Sequence, residues 1–395
     1  MAVRPKSGYI PTLDGWRAVA VGLVLLAHAP FPPGNELYTR IASYSEVGVS
    51  LFFAISGLLI CSRLLEEERM TGRISLRGFY VRRSFRIFPA AYLYLLFVAV
   101  MGLLHWLPMD WPAWGSALLF LRNYFTCLVG DTPVSAPTGQ YWSLAIEEHF
   151  YLLLPFLLVF FPKRRKLVLL LLTAVAFVWL ALYVHVVPLD QRSIFWDRRT
   201  DLRLGALLFP AWIALFLAES SPRKWLARWL HPSGGAVVLL MVWVVLLLKR
   251  HYFPHVAPLM PAKSPVGDYV SVVRGGPFNP FKDVVVPLLF PLVVVSTMLH
   301  PATLWGRLLE WKPLRSIGRV SYSLYLWQQL FWVTGYKGGP IASFQRLWLA
   351  AMIAAPLLSY FLVEKPMIRW GHRLAPPATP GHRDLDADAP ATAGV

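Results

Sequence analysis

The sequence is poor in charged residues. Only 15% of its 395 positions are charged, whereas 56% are hydrophobic, and the mean hydropathy is +0.51. A soluble domain usually carries about 25% charged residues, so the composition excludes an ordinary soluble protein. The hydrophobic residues gather in runs close to the roughly 20 residues that cross a bilayer as a helix. The sequence therefore predicts an all-α integral membrane protein.

Cysteine is almost absent. Cys61 and Cys127 are the only two cysteines, and they lie in or beside different apolar runs. Their spacing matches no metal-binding or redox motif. We therefore expect both to be packing residues, and we expect no metal site.

Acidic residues are outnumbered by basic ones, 21 to 38, which gives a formal net charge of +17. Such an excess is common in proteins that bind nucleic acid. Here, however, the basic residues gather in short loops between apolar runs, where membrane topology places them. No nucleic-acid-binding module is recognisable either, so we expect no nucleic acid partner.

Apolar runs divide the chain into about ten predicted transmembrane helices. They are 16–31, 46–62, 87–107, 146–161, 167–187, 202–218, 235–250, 283–299, 317–335 and 345–363. Residues 113–127 are apolar but short, which predicts an outer-surface or re-entrant segment. Residues 375–395 are rich in Pro, Ala and Asp and predict a disordered cytoplasmic tail. Residues 1–374 would then form one membrane domain, with no room for an appended soluble domain.

The distribution of basic residues predicts the orientation. With a cytoplasmic N-terminus, most Lys and Arg residues fall in the segments that would be inner. The contrast is sharpest in the loop from Arg63 to Arg86 and in KRRK at Lys163–Lys166. Cytoplasmic loops carry such an excess. We therefore expect both the N- and the C-terminus in the cytoplasm.

The first predicted span carries two ionisable residues, Arg17 and His28, in the stretch LDGWRAVAVGLVLLAHAP. On a helix they fall within about 20° of one face and about 16 Å apart along the axis. One interpretation is structural: Arg17 reaches the inner membrane surface and His28 hydrogen-bonds a neighbouring helix. The other is functional, because ionisable residues inside membranes commonly mark functional sites. We favour the functional interpretation.

Three arginines, Arg82, Arg83 and Arg86, precede the third apolar run in GFYVRRSFRIFP. Such a cluster also acts as a topological signal on the cytoplasmic side, and the cluster alone favours that interpretation. Guanidinium groups, however, bind phosphates through paired hydrogen bonds. A phosphate-bearing ligand arriving from the cytoplasm would meet Arg83 and Arg86 on one helical face.

Two adjacent glutamates, Glu147 and Glu148, stand near the head of YWSLAIEEHFYLLLPFLLVFF. They could complement the N-terminus of a helix that Ser143 caps. They point about 100° apart on a helix, so they cannot serve one site equally. Glu147 shares a face with Ser143 and Tyr151, and a carboxylate near a histidine can fix the tautomer of its ring. Glu147 and His28 are both predicted toward the outer side, where they could meet.

Seven stretches of the chain together resemble the acyltransferase-3 family of bacterial integral membrane O-acyltransferases. They are LDGWRAVAVGLVLLAHA, VGVSLFFAISGLLI, FYVRRSFRIFPAAYL, YWSLAIEEHFYLLLP, TDLRLGALLFP, LRSIGRVSYSLYLW and LLSYFLVEKPMIRW. They occur in the family's order and extend over about Tyr9 to Trp370. Members of this family modify surface and secreted carbohydrates and some natural products.

The resemblance implies roles for these residues. Taken together with the residue patterns above, it predicts catalytic residues His28, Glu147 and Glu148, donor-binding residues Arg17, Arg82, Arg83 and Arg86, and acceptor-contacting or supporting residues Asp14, Ser143 and Tyr151. Glu364 matches the acidic residue of the family's closing motif. Two positions depart from the family pattern: His149 stands where glutamine is usual, and Gln328 where histidine is often found. A histidine at position 328 therefore cannot belong to this protein's machinery.

The resemblance also implies a reaction. Acyl-CoA would be the co-substrate, with no permanently bound cofactor, and an acetyl or other short acyl group would pass to a hydroxyl of a carbohydrate or glycoconjugate. His28 would act as general base, either directly or through a transient acyl-histidine, and both routes stay open. The protein would lie in the bacterial inner (cytoplasmic) membrane, in contact with membrane lipid. We expect no fused esterase-like extracellular domain, which some family members carry.

A transporter or flippase of a lipid-linked or acylated glycan is the alternative function. It also fits a polytopic protein with intramembrane charges. Such proteins often contain inverted repeats with broken helices in matching positions, and the sequence has no recognisable repeat of this kind. We therefore prefer the acyltransferase interpretation.

Overall fold

The computed structural model describes residues 9–28, 45–107, 109–132, 134–187, 195–231, 281–333 and 345–375. Within these ranges the chain is helical and contains no β-strand, which confirms the predicted all-α class. The predicted span 235–250 and the predicted tail beyond residue 375 lie outside the described residues.

Eight helices form the body of the bundle. They are α1 (Pro11–His28), α2 (Ser45–Thr71), α3 (Leu76–Leu103), α6 (Tyr141–Phe160), α7 (Arg165–Val186), α9 (Gly205–Ala218), α11 (Val286–Leu299) and α13 (Lys312–Val333). Shorter or peripheral helices are α4 (Trp111–Leu118), α5 (Arg122–Val129), α8 (Thr200–Arg203), α10 (Ser220–Trp229), α12 (Leu304–Leu309), α14 (Gln345–Leu358) and α15 (Lys365–Leu374). Turns of 3₁₀ helix occupy Ala136–Thr138 and Trp196–Arg198, and π-helical turns occupy Phe281–Val285 and Ser359–Glu364.

Several of these helices are suited to crossing a membrane. Among the described residues, five helical segments are long and apolar enough: Glu46–Thr71, Leu76–Leu103, Ala136–Phe160, Arg165–Val186 and Ala350–Leu374. A sixth arises if α9 and α10, which meet at a bend of 113°, are counted as one. The protein is therefore a multi-pass membrane protein. The count of ten spans stays a prediction, because α1 and α13 carry charged residues and α11 is short.

Ion pairs between helix ends define two faces of the bundle. At one face Arg165, at the start of α7, pairs with Glu68 near the end of α2 at 2.5 Å. At the opposite face Arg203 of α8 lies 3.9 Å from Glu46, at the start of α2, and 3.8 Å from Asp283. In the predicted topology, successive spans run in opposite directions, and this also places these helix ends together on the same two faces. Which face is cytoplasmic stays a prediction.

Two glycines let α1 approach its neighbours backbone to backbone, Gly318 at α13 and Gly15 at the end of α12. A Cβ atom added at Gly318 of α13 would lie 1.8 Å from the carbonyl oxygen of Asp14. One added at Gly15 would lie 2.2 Å from the carbonyl oxygen of Leu309. Small residues permit close packing of membrane helices. The contact fixes the first half of α1, which carries Arg17, against α13.

Buried side chains hold the start of α6 between α3 and α13. The Tyr141 hydroxyl donates to the carbonyl oxygen of Ala91 in α3 at 2.6 Å. The amide of Gln140, at the N-terminal boundary of α6, donates to the carbonyl oxygen of Leu326 in α13 at 2.8 Å. Both side chains are buried. These bonds fix the axial position of α6 and of the acidic pair one and a half turns further on.

Candidate active site

A polar cavity of about 90 Å³ lies inside the bundle, between α1, α2, α3, α6 and α13. Most of the site residues that the sequence predicted line it. The polar lining residues are Arg17, Ser56, Arg83, Arg86, Ser143, Glu147, Glu148, Tyr151, Ser321, Tyr322 and Tyr325. Five helices thus bring three arginines and two glutamates to one place.

Glu147 is held by two hydroxyl groups. The Tyr151 hydroxyl donates to its Oε2 atom at 2.6 Å, and the Ser56 hydroxyl donates to Oε1 at 3.1 Å. Tyr151 lies one turn further along α6, whereas Ser56 comes from α2. The Glu147 side chain therefore links α6 to α2 in a fixed orientation.

Arg83 and Glu148 keep unused hydrogen-bonding capacity. The Arg83 guanidinium lies 3.8 Å from the centre of the Tyr151 ring, a cation–π contact. Among the described residues, neither Arg83 Nε nor Glu148 Oε1 has a hydrogen-bond partner, although both atoms are buried. Such atoms are rare in folded proteins. The cavity therefore offers a polar ligand one hydrogen-bond donor, the Arg83 Nε–H group, and one acceptor, Oε1 of Glu148.

Arg17 is oriented by residues at the N-terminal end of α1. Its guanidinium donates to Oδ1 of Asp14 at 3.1 Å, and Oδ2 of Asp14 accepts from the Tyr9 hydroxyl at 2.5 Å. Burial, together with the Asp14 carboxylate, raises the pKa of Tyr9 to about 12, so the hydroxyl keeps its proton. Asp14 therefore holds Arg17 and does not itself line the cavity.

Arg82 does not line the cavity. Its guanidinium pairs with Oε2 of Glu67 at 2.8 Å, and Oε1 of Glu67 accepts from the backbone N–H of Ser75 at 3.3 Å. These bonds connect the end of α2 to the start of α3. The geometry gives the predicted donor-binding role of Arg82 no support.

Glu364 ends the π-helical turn before α15 and is buried. Its Oε2 accepts from the Ser323 hydroxyl of α13 at 2.8 Å, and it lies close enough to Arg86 and Arg17 to act on both electrostatically. π-Helical turns frequently occur at functional sites. The structure thus connects the closing motif to the arginines of the cavity.

His28 stands at the end of α1 and is outside the cavity lining. Its Nδ1 atom is 2.8 Å from the carbonyl oxygen of Val24, one turn back. A carbonyl oxygen only accepts, so Nδ1 carries the hydrogen, and in neutral imidazole Nε2 then holds the lone pair. This is the atom that a general base uses.

The structure does not bring Glu147 to His28. The Glu147 oxygens accept from Ser56 and Tyr151, and the tautomer of His28 is set by the backbone of its own helix. The expectation that a carboxylate fixes the His28 ring is therefore not met by Glu147. The sequence predicted both residues toward the same side of the membrane, but it could not predict how far each lies from the membrane surface.

Ser143 is not a helix cap. The helix begins at Tyr141, and the Ser143 hydroxyl lies 2.5 Å from the hydroxyl of Tyr325. The capping interpretation was wrong because helix α6 starts earlier than the apolar run. Ser143 instead joins α6 to α13 at the wall of the cavity.

Sequence reasoning missed the hydroxyl residues of two other helices. Ser56 of α2 and Tyr322 and Tyr325 of α13 line the cavity. The two tyrosines in SYSLYLW lie three positions apart on one helical face, and this spacing was the available sequence signal. It was weak, because hydroxyl side chains in membrane helices often bond to their own backbone.

The two departures from the family pattern lie outside the cavity lining. His149 Nδ1 is 2.7 Å from the hydroxyl of Thr200 in α8. Gln328 is buried, and its Oε1 has no hydrogen-bond partner within the described part of the chain. Across those same ranges, no group of three or more His, Cys, Asp or Glu side chains is placed to hold a metal ion.

Comparisons with known proteins point to one family. The model of the acyltransferase domain of the acyltransferase-3 family matches residues 10–364. O-acetyltransferase OatA of Staphylococcus aureus (strain NCTC 8325 / PS 47) is 28% identical over 389 residues, covering 92% of this chain and 58% of the relative. Peptidoglycan O-acetyltransferase OatA of Listeria monocytogenes is 27% identical over 336 residues, covering 81% and 49%. Putative peptidoglycan O-acetyltransferase YrhL of Bacillus subtilis (strain 168) is 29% identical over 396 residues, covering 92% and 56%.

The chain spans about half the length of the curated relatives it matches. No solved structure matches it. The family match extends over nearly the whole chain and includes every helix that lines the polar cavity. The chain therefore belongs to the acyltransferase-3 family.

Proposed function

We propose that the protein is an O-acetyltransferase of the bacterial cytoplasmic membrane. It transfers an acetyl group, or another short acyl group, from acyl-CoA to a hydroxyl of a cell-envelope carbohydrate. The observation that carries the proposal is the buried cavity with Arg17, Arg83 and Arg86 beside Glu147 and Glu148. The names of the relatives, O-acetyltransferase and peptidoglycan O-acetyltransferase, support both the acetyl group and the carbohydrate acceptor.

The arginines suit an anionic donor. Guanidinium groups bind phosphates through charge-assisted, paired hydrogen bonds, and acyl-CoA carries several phosphate groups. Arg83 and Arg86 lie in the first half of α3, on the side where Arg165 and Glu68 pair. In the proposed orientation this side is cytoplasmic, where acyl-CoA is available. The phosphates would stay at this side while the thioester reaches into the bundle.

The size of the cavity favours a small acyl group. A cavity of about 150 Å³ in another protein binds benzene, and the cavity here measures about 90 Å³. A volume of this size is sufficient for an acetyl group, which is smaller than benzene.

His28 supplies the base. Its Nε2 lone pair removes the proton from the acceptor hydroxyl, whose oxygen forms a bond to the thioester carbonyl carbon. The carbon–sulfur bond then breaks, and the CoA thiolate leaves and takes up the proton. The products are an acetyl ester and CoA. If a transient acetyl-histidine forms, the same overall reaction takes place in two steps.

The test is acetyl transfer by the purified full chain in proteoliposomes. Acetyl-CoA labelled in the acetyl group is supplied with soluble peptidoglycan fragments, and the glycan is analysed by mass spectrometry. We expect an acetyl ester that depends on the protein. Movement of the glycan across the membrane without ester formation would instead favour the transporter. In cells, loss of the protein should remove an acetyl mass from an envelope glycan.

A further inference from the structure

A buried network of charges lies at the face opposite the Arg165–Glu68 pair, outside the residues assigned above. Its centre is Arg122 of α5, which is completely buried. Its guanidinium donates to Thr138 at 3.1 Å and also to Thr126 and Asp131. The carbonyl oxygen of Ser135 accepts a further bond at 3.3 Å. Such complete pairing is what a buried charge requires.

Asp131 is shared between two arginines. Its Oδ1 accepts from Arg122, and its Oδ2 pairs with Arg198 at 2.5 Å. Burial raises the pKa of Asp131, but Arg198 and Arg122 together more than offset this, so the pKa lies below its ordinary value. The carboxylate is therefore charged at neutral pH. Two cations and one anion leave the network with a surplus positive charge.

The surplus charge is held next to the candidate active site. The Arg198 guanidinium lies 4.3 Å from the ring centre of Phe195 and 5.4 Å from that of Trp142. Trp142 precedes Ser143 in α6, and its ring packs edge-on against Phe53 at 6.4 Å. Both Ser143 and Phe53 line the polar cavity. The Arg198 side chain, 15% exposed, thus packs on Trp142, which lies directly behind the wall of the cavity.

The same guanidinium also lies close to the proposed base. It is near enough to act electrostatically on His28, and likewise on Tyr325, whose side chain lines the cavity. Among the sequence-predicted site residues, no arginine occupies this end of the cavity, since Arg83 and Arg86 come from the first half of α3. Arg198 therefore places a positive charge within electrostatic reach of both His28 and Tyr325.

We propose that Arg198 is a further catalytic residue of the acyl transfer and that Asp131, with Arg122 behind it, positions it. This inference rests on the proposed function. When the acceptor oxygen attacks, the electron pair of the thioester carbonyl moves to its oxygen, and the guanidinium stabilises that oxyanion. The pair returns as the carbon–sulfur bond breaks, and CoA leaves. Fixed positive groups of this kind stabilise charge that develops only in the transition state.

The experiment compares Arg198→Gln with Arg199→Gln in the full chain. Arg199 is the matched control: it is the neighbouring arginine, pairs with Asp201 at 2.7 Å and lies over Tyr183. Proteoliposomes receive acetyl-CoA and a soluble N-acetylhexosamine oligosaccharide, and kcat and the KM for acetyl-CoA are measured separately. We expect Arg198→Gln to lower kcat on the order of 10²–10³-fold with an unchanged KM for acetyl-CoA. Arg199→Gln should resemble the unmodified protein.

Two further variants keep the test decisive if Arg198→Gln does not fold. Arg198→Lys retains the charge but not the guanidinium fork, and Asp131→Asn removes the positioning charge. Both should lower kcat relative to the unmodified protein and leave the KM for acetyl-CoA unchanged. An unchanged kcat in Arg198→Gln, or in both of these variants, would overturn the inference, as would a raised KM with unchanged kcat. Absence of transfer by the unmodified protein would instead refute the proposed function.

Discussion

At the scale of single residues, the hydrogen bond between His28 and Val24 decides what the imidazole can do. It assigns the hydrogen to Nδ1 and leaves Nε2 as the basic atom. His28→Gln keeps a hydrogen-bonding side chain but cannot accept a proton during catalysis. We expect acetyl transfer to fall on the order of 10²–10⁴-fold, measured as kcat in proteoliposomes, with normal insertion.

His300→Gln is the matched control for this change. His300 also bonds a backbone carbonyl, that of Ala227 at 2.9 Å, and it lies outside the cavity lining. Its substitution should leave kcat unchanged. Near-normal transfer by His28→Gln would show that the histidine is structural and would remove the base from the proposed mechanism.

Arg86 provides a test of donor binding. If it contacts the phosphates of acetyl-CoA, Arg86→Ala should raise the KM for acetyl-CoA. It should also weaken the dependence of that KM on salt, because one screened charge pair is lost. Kinetics at several ionic strengths measure both effects. Arg319→Ala, which removes an exposed arginine of α13, should change neither, and equal behaviour of the two variants would contradict the assignment.

Asp131 makes stability depend on pH in a defined range. Its pKa is lowered in the folded protein, so its contribution is complete above the unfolded-state pKa of about 4 and is lost as the pH falls through the folded value. We expect Asp131→Asn to lower the melting temperature by a constant amount between about pH 5 and pH 8. The difference should shrink below about pH 4. Thermal unfolding in detergent measures it, and a difference that grows on acidification would contradict the ion-pair network.

Residues of the cavity differed in how well the sequence revealed them. Arg17 and Glu147 were conspicuous because ionisable groups are rare in apolar helices, and both line the cavity. Arg82 and Arg83 are neighbours, and only the position of Glu67 separates their roles. Tyr325 gave only a weak signal, because its position in the cavity depends on a contact with Ser143, 182 positions away.

At the scale of helices, the direct backbone contact between α1 and α13 predicts that one added methyl group at this contact lowers the stability of the protein. Gly318→Ala would place a Cβ atom 1.8 Å from the backbone oxygen of Asp14, so the helices must separate. Overpacking of this kind costs about 1–3 kcal/mol. We expect a lower melting temperature together with a raised KM for acetyl-CoA, since Arg17 moves with α1.

Gly22 of α1 offers the control. A Cβ atom added there meets no atom within 4 Å, and alanine is the better helix former. Gly22→Ala should therefore leave the melting temperature unchanged or raise it. Equal melting temperatures for both variants would show that α1 and α13 are less closely packed than described.

Helix existence was predictable, whereas helix ends were not. The second predicted span, 46–62, continues as helix to Thr71. The additional turns carry the charges of LLEEER, whose Glu67 and Glu68 pair with Arg82 and Arg165. Hydropathy marks the length that lies in lipid, but ion pairs formed after folding decide where the helix stops.

At the scale of the whole molecule, orientation is the prediction with the widest consequences. A reporter fused after Lys166 should be active in the cytoplasm, and one within residues 255–275 should be active outside. The basic loops support this orientation, and it places Arg83 and Arg86 on the side that supplies acyl-CoA. Paired alkaline phosphatase and fluorescent protein fusions measure it. Reversed signals would contradict the sidedness of the mechanism.

The bend of 113° between α9 and α10 has a consequence for how the bundle sits in the bilayer. Helix α9 runs from the face of Arg203 toward the face where Glu219 pairs with Lys166, so α10 extends along that second face. Trp225 and Trp229 of α10 are 59% and 71% exposed, and amphipathic aromatic side chains settle at the level of lipid headgroups. The bend thus directs α10 away from the axis of α9, and the exposed tryptophans suit it to lie in the headgroup layer rather than to continue across the bilayer.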